Sequence, residues 1–152
     1  MKSSSNLQIQ LIQPALAIPL RHKVLRPNGR VEDCHYPQDL LTTTFHVGAM
    51  FEGDIFGVAT FHHEAFPDLK AQLPYRLRGM ATHAKFRGQG VGRLVLNRGL
   101  EELRKRKCDL LWFNARQVAF PFYEKMGFLY QSSMFEIPSI GPHKVMYNYL
   151  IK

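Results

Sequence analysis

Long apolar runs and cysteine are both scarce in this chain of 152 residues. No stretch approaches the ~20 apolar residues that cross a bilayer, so no membrane partner is expected. Cysteine occurs twice, as Cys34 and Cys108, without the spacing of a metal site. The expectation is a reduced, cytoplasmic protein with no metal. The opening "MKSSSNLQIQLIQPALAIPL" has one lysine followed by serines, and Gln8, Gln10, Gln13 and Pro14 interrupt its apolar part. It does not read as a secretory leader. Internal repeats, low-complexity stretches beyond "SSS" and linker composition are all lacking, which predicts a single domain over residues 1–152.

Acidic side chains are the minority: 12 Asp and Glu against 20 Lys and Arg leave a formal net charge of +8. That favours anionic partners, whether nucleic acid, phosphorylated cofactors or acidic surfaces, without choosing among them. The densest basic run, "RKRK" at Arg104 to Lys107, falls near a predicted helix C-terminus. Cations are favoured there by the helix dipole, so a solvated helix end accounts for it.

What is present is a run of alternating and helical patterns. "LQIQLI", Leu7 to Ile12, alternates as a strand, and "PALAIPLRHKVL" reads as a helix opened by Pro14 and limited by Pro19. "RPNGRVEDCHYPQD" has loop chemistry. Two β-rich runs around "EGD" form the clearest hairpin, and "YRLRGMAT", Tyr75 to Thr82, is a further alternating strand. That alternation puts Arg76, Arg78 and Met80 on one face, and His62 and His63 on opposite faces of theirs, where they do not share a metal. Val91, Leu94, Val95, Leu100 and Leu103 mark a helical stripe to Lys107. "DLLWFNA" is a buried strand, "QVAFPFYEKM" a helix ended by Gly127, and two final strands follow in "FLYQSSMFEI" and "HKVMYNYL". The order predicts an α+β fold, a mixed sheet flanked by helices.

"AKFRGQGVGRLVL" packs Gly88, Gly90 and Gly92 into five positions between Arg87 and Arg93, at the junction of strand and helix. A glycine-rich turn opening a helix aims several backbone N–H groups one way, and the dipole adds partial positive charge. Such a nest holds phosphate. Neither the dinucleotide fingerprint nor the P-loop fits, because the spacing is Arg-x-x-Gly-x-Gly.

That hexapeptide resembles the coenzyme A pyrophosphate loop of the GCN5-related N-acetyltransferase (GNAT) superfamily. "NARQVAFPFYEKMGF", Asn114 to Phe128, resembles the later motif of the same family, in the right order and separation. The likeness covers Leu77 to Phe128, and "EIPSIGPHKVM" is similar to the tail of a subgroup of small members. The resemblance implies a mostly antiparallel sheet of six to seven strands, splayed between the fourth and fifth. It implies transfer of an acetyl group from acetyl-coenzyme A, as co-substrate, to a primary amine of a small-molecule or amino-acid-like acceptor. Carried onto this chain, Tyr123 takes the general-acid position. Arg87, Gly88, Gln89, Gly90, Val91, Gly92 and Arg93 hold the pyrophosphate, Met80, Ala81 and Thr82 pair with pantetheine, and Asn114 completes the cofactor set. Arg116 stands where many members carry an asparagine.

The central strand contains no Asp or Glu, so the base lies elsewhere, with His83, Glu64, Glu136 and His143 as candidates. Glu32, Asp33, Glu52, Asp54 and Glu64 are the acids available for an acidic pocket, without which the positive charge disfavours polycationic acceptors. Two other readings stand beside the enzyme: an acyl-coenzyme A sensor without turnover, and a polyanion binder. Against the second, basic and aromatic residues are not interleaved as a stacking platform, so nucleic acid is not the expected partner. Oligomeric state is left open, a homodimer included.

Overall fold

The computed structural model describes residues 6–150. Strand β1 (Leu7–Ile12) lies antiparallel to β2 (Phe45–Phe51), which turns into β3 (Asp54–His63). The turn residues Glu52 and Gly53 both have positive φ, the handedness that matches the twist of paired strands. β3 pairs antiparallel with β4 (Pro74–Thr82), and β4 runs parallel to β5 (Leu110–Arg116). β5 is antiparallel to β8 (Gly141–Tyr149), whose outer edge carries β6 (Leu129–Tyr130) and β7 (Phe135–Ile137). The sheet order is β1-β2-β3-β4-β5-β8-β6, with β7 on β8. This is the expected mixed, mostly antiparallel α+β fold, with eight strands rather than six or seven. The extra strand arises within "FLYQSSMFEI". There the Gln131 N–H donates to the Val145 carbonyl and Ser132 Oγ accepts the Val145 N–H, so the chain leaves the ladder between β6 and β7.

The segment expected as one helix from Pro14 is a 3-10 turn (Pro14–Ala17), a short α1 (Ile18–Leu20) and a π turn (Arg21–Leu25). Pro19 has no N–H to continue a regular ladder. On the other face of the sheet, α2 (Val91–Lys105) and α3 (Phe120–Lys125) cover the main core, in which Phe45, Phe61, Leu77, Phe113 and Met146 pack. Leu94 lies off the buried stripe, 38% exposed, while Leu96 and Gly99 belong to it. A Cβ at Gly99 would collide with the Phe61 ring. Arg106, in the basic run, is tied rather than solvated: it bonds Glu102 and the Thr43 carbonyl and lies over Phe45.

The α1 side buries charge. Arg21 is 1% exposed. Its Nη1 donates to Asp39 Oδ2 and the Cys34 carbonyl, both at 2.8 Å, and its Nη2 to Asp39 Oδ1 at 2.9 Å and Thr60 Oγ1 at 2.6 Å. Tyr36 N–H also reaches Asp39 Oδ2, and His46 bridges Thr60 Oγ1 and the Asp39 carbonyl. Burial alone would raise the Asp39 pKa, but the bonds from Arg21 and Tyr36 hold it below the usual carboxylate range. Burial lowers the pKa of His46, and brings that of fully buried His62 to about 4, with Glu64 opposing and Arg76 and Arg78 assisting. Among the described residues neither ring nitrogen of His62 has a hydrogen-bond partner, the Glu64 carboxylate standing 3.6 Å from Nδ1.

Asp39→Ala leaves the Arg21 charge buried and uncompensated, and is expected to cost about 3–5 kcal/mol of stability in urea denaturation. For both histidines the folded pKa lies below the ordinary 6.5, so the unfolded chain binds more protons as the medium acidifies. Stability therefore falls as pH drops from 6.5 toward 4, and Asp39 extends the loss below that. His62→Leu should flatten the melting temperature across this window; an unchanged slope would assign the acid sensitivity to other groups.

Candidate active site

The glycine loop is built by backbone handedness. β4 ends at Thr82, a 3-10 turn (Ala84–Phe86) follows, and Gly88 and Gly90 take φ of 77° and 81°. A Cβ at Gly88 would meet nothing within 4 Å, and one at Gly90 only Arg93 Nη2 at 3.8 Å. The space over both is open. Gly92 differs: it is helical and faces inward, with Met80 Cε 3.5 Å and Phe122 Cζ 3.6 Å from where its Cβ would be. Leu94 N–H is the first to bond within the helix, to the Gly90 carbonyl. Among the described residues, the N–H groups of Gly88, Gly90, Val91, Gly92 and Arg93 have no protein acceptor. Arg87 Nε is held by the Thr82 carbonyl, and Gln89 Nε2 by that of Lys85. Arg87 and Arg93 pair with no carboxylate among the described residues. Free donors, a helix start and unneutralised arginines fit a pyrophosphate.

Beside the loop the sheet parts. The β4–β5 ladder holds only Pro74–Leu110, Tyr75–Leu111 and Arg76–Trp112, while β4 continues to Thr82 and β5 to Arg116. The cause of the bend is a β-bulge: Thr60 pairs with Arg78 and Val58 with Ala81, so Gly79 and Met80 together oppose Ala59. Gly79 has φ of 62°, and a Cβ there would lie 2.8 Å from Arg21 Nε and 3.1 Å from Tyr36. The bulge corrects the expected alternation. Arg76 and Arg78 stay on the α1 face, but Met80 packs toward the main core, and Ala81 turns to meet Ala17, Leu20 and Val58.

A cleft of ≈ 200 Å³ occupies the gap and is lined from both faces of the sheet. Leu77, Met80, Phe113 and Tyr123 wall it on the α2 and α3 side. Tyr36, Arg76, Arg78, Asn114, Arg116 and His143 wall it on the other. Tyr123 is buried, with its ring 4.3 Å from that of Phe113, and makes no hydrogen bond to the described residues. Burial pushes its phenol pKa up, against a small opposing pull from Arg116, so the proton stays on. Asn114 stands in this cleft, not at the glycine loop.

Of the four candidate bases only His143 lines the cleft; its Nδ1 lies 2.8 Å from the Gly141 carbonyl. Glu64 is engaged by Arg76 at 3.4 Å, Glu136 is exposed, and His83 Nδ1 accepts the Lys85 N–H in the glycine loop. Tyr36 escaped the sequence reading. It lies in a segment of loop composition, and nothing in its neighbours signals that it stacks under Arg78, 4.1 Å from the ring centroid.

Residues 18–128 match the model of the acetyltransferase (GNAT) family. Over 144 residues the chain is 33% identical to the uncharacterized N-acetyltransferase YitI of Bacillus subtilis (strain 168), covering 95% of this chain and 97% of that protein. Its fold is shared with Escherichia coli ElaA at a TM-score of 0.73 and 18% identity, over 93% of this chain and 98% of that one. It is shared also with an aminoglycoside 6'-N-acetyltransferase complexed with coenzyme A, at 0.70 and 14%, over 95% and 98%.

Gly90→Val forces a β-branched side chain into left-handed backbone and fills the open space above it. Coenzyme A affinity in calorimetric titration is expected to fall beyond detection, while Arg87→Ala, which keeps the N–H donors, weakens it less. A folded Gly90→Val protein with unchanged affinity would place the pyrophosphate elsewhere.

Proposed function

We propose that this chain, which belongs to the acetyltransferase (GNAT) family, is a cytoplasmic single-domain enzyme moving an acetyl group from acetyl-coenzyme A to the primary amine of a small-molecule or amino-acid-like acceptor. The observation that carries the reading is the junction of the phosphate-type loop with the opened β4–β5 edge, where Met80 Cε lies 3.5 Å from the place a Cβ at Gly92 would take. Acetyl-coenzyme A brings the acetyl group as a thioester. The main chain of Gly88 to Arg93 is suited to its pyrophosphate, and the unpaired edge at Met80, Ala81 and Thr82 to its pantetheine arm.

The remaining roles fall to cleft residues. A main-chain N–H at Met80, in the bulge, is suited to stabilise charge developing on the carbonyl oxygen. Tyr123 keeps its proton at neutral pH and sits on the helix side of the gap, as a donor to the departing sulfur must. His143, with Nδ1 donating to the Gly141 carbonyl, presents Nε2 as an acceptor for the proton that the nitrogen loses once the neutral amine has attacked. The neutral amine gives up one proton to His143 and the thiolate takes one from Tyr123; His143 then releases its proton to solvent and Tyr123 regains one from it, so the transfer balances over the cycle.

Thiol release from acetyl-coenzyme A, measured with an amine panel, tests the reading. Tyr123→Phe keeps the ring packed and is expected to lower kcat ~10²–10⁴-fold with acetyl-coenzyme A affinity nearly intact. His143→Gln should lower kcat with acetyl-coenzyme A affinity nearly intact. Parent-like turnover in Tyr123→Phe would show that water or another group protonates the thiolate.

A further inference from the structure

A second cavity, of ≈ 340 Å³, adjoins the cleft and shares Leu25, Arg116 and Ile140 with it. Together the two are lined by Arg26, Arg76, Arg78 and Arg116, and by no Asp or Glu. These arginines are not equivalent. Arg76 is neutralised by Glu64 and lies over Trp112, so it is structural. Arg78 and Arg116 have no carboxylate within ion-pair distance among the described residues. Both are half-buried and both are held in place. The Arg78 guanidinium stacks on Tyr36, whose ring also contacts Arg21 at 3.9 Å, itself neutralised by Asp39. Arg116 spends one N–H on the Leu25 carbonyl at 3.2 Å. Stacking and a single main-chain bond fix each planar group and leave N–H edges available, the arrangement that suits bidentate capture of an oxyanion.

The sidedness separates this charge from that of the glycine loop. Arg87 and Arg93 flank the start of α2, whereas Arg78 and Arg116 face the α1 side of the sheet with Tyr36. We infer that the acceptor carries an anionic group, a carboxylate or a phosphate, beside its amine, and that Arg78 and Arg116 grip that group while the amine points into the gap. This specifies the acceptor class and rests on the acetyl-transfer reading above. The same field disfavours a bare ammonium and excludes polyamines: the sequence offered Glu32, Asp33, Glu52, Asp54 and Glu64 for an acidic pocket, and none of them lines either cavity.

The test is calorimetric titration of the full chain, loaded with coenzyme A, using matched pairs. The probes are the proteinogenic amino acids against their decarboxylated amines, and O-phosphoethanolamine against ethanolamine, with spermidine as the polycation. At least one anion-bearing member should bind about tenfold or more tightly than its partner, the scale of a charged hydrogen-bonded contact. The phosphate pair and the carboxylate pairs tell which anion it is. Arg78→Gln and Arg116→Gln should each erase the preference without moving the affinity for coenzyme A, and Arg78→Lys and Arg116→Lys should retain part of it. Thermal melting checks that each variant is folded. Equal or undetectable binding of both members of every pair, preference for spermidine, or variants that weaken coenzyme A instead would overturn the inference. Thiol release is read in parallel. An anion preference without release retires the transfer reading and leaves the anion site standing; release without preference does the reverse.

Discussion

The bidentate pair between Arg21 and Asp39 holds the site together. It starts from the π turn after α1, reaches across to the loop before β2, and takes in Thr60 of β3 and the carbonyl of Cys34. A charge this deep is costly to desolvate, and such a pair is weak evidence for net stability. What it provides is position. Asp39 also binds the Tyr36 N–H, so the ring on which Arg78 rests is set by the same carboxylate that neutralises Arg21.

That cluster and the parting of the sheet are one construction. The Arg21 side chain and the Tyr36 ring fill the space where a side chain at residue 79 would go, and only glycine leaves it free at a left-handed φ. With Gly79 and Met80 bulged against Ala59, the strand bends, Met80 crosses to the helix side, and the ladder to β5 stops at Arg76–Trp112. Phosphate-type loop, open edge, Tyr123 and the two unneutralised arginines then border one gap.

The parts legible in the sequence are those whose causes are local. The hairpin at Glu52–Gly53, the glycine loop and the helix after it are written in short-range turn chemistry and periodicity, and Tyr123 came through a motif. Where distant residues intervene, local rules fail. Strand alternation put Met80 beside Arg78, and Arg21, fifty-odd positions earlier, moved it away. Helical periodicity chose Leu94, which is exposed, and passed over Leu96 and Gly99, which are buried, the latter against the Phe61 ring. Tyr36 and Asp39 matter through their partners, and a loop composition conceals partners.

The brevity of the β4–β5 ladder has a mechanical side. Three register pairs join the wing formed by β1 to β4 to the wing formed by β5 to β8. Beyond them the main-chain groups of both strands face each other without bonding, an interior edge of the kind that sheets normally keep covered. An extended molecule lying in that gap and bonding both edges would complete the sheet, much as a ninth strand would. The protein is in this sense one sheet that parts along its middle. Such a strand would add main-chain bonds between two wings that already meet along the short ladder, through the core beneath the helices and by side-chain bonds such as those of Arg116 to the Leu25 carbonyl and Trp112 to the Glu64 carbonyl. The ligand that enters for chemistry would then also brace the fold, and its departure would return the wings to looser coupling once in each cycle.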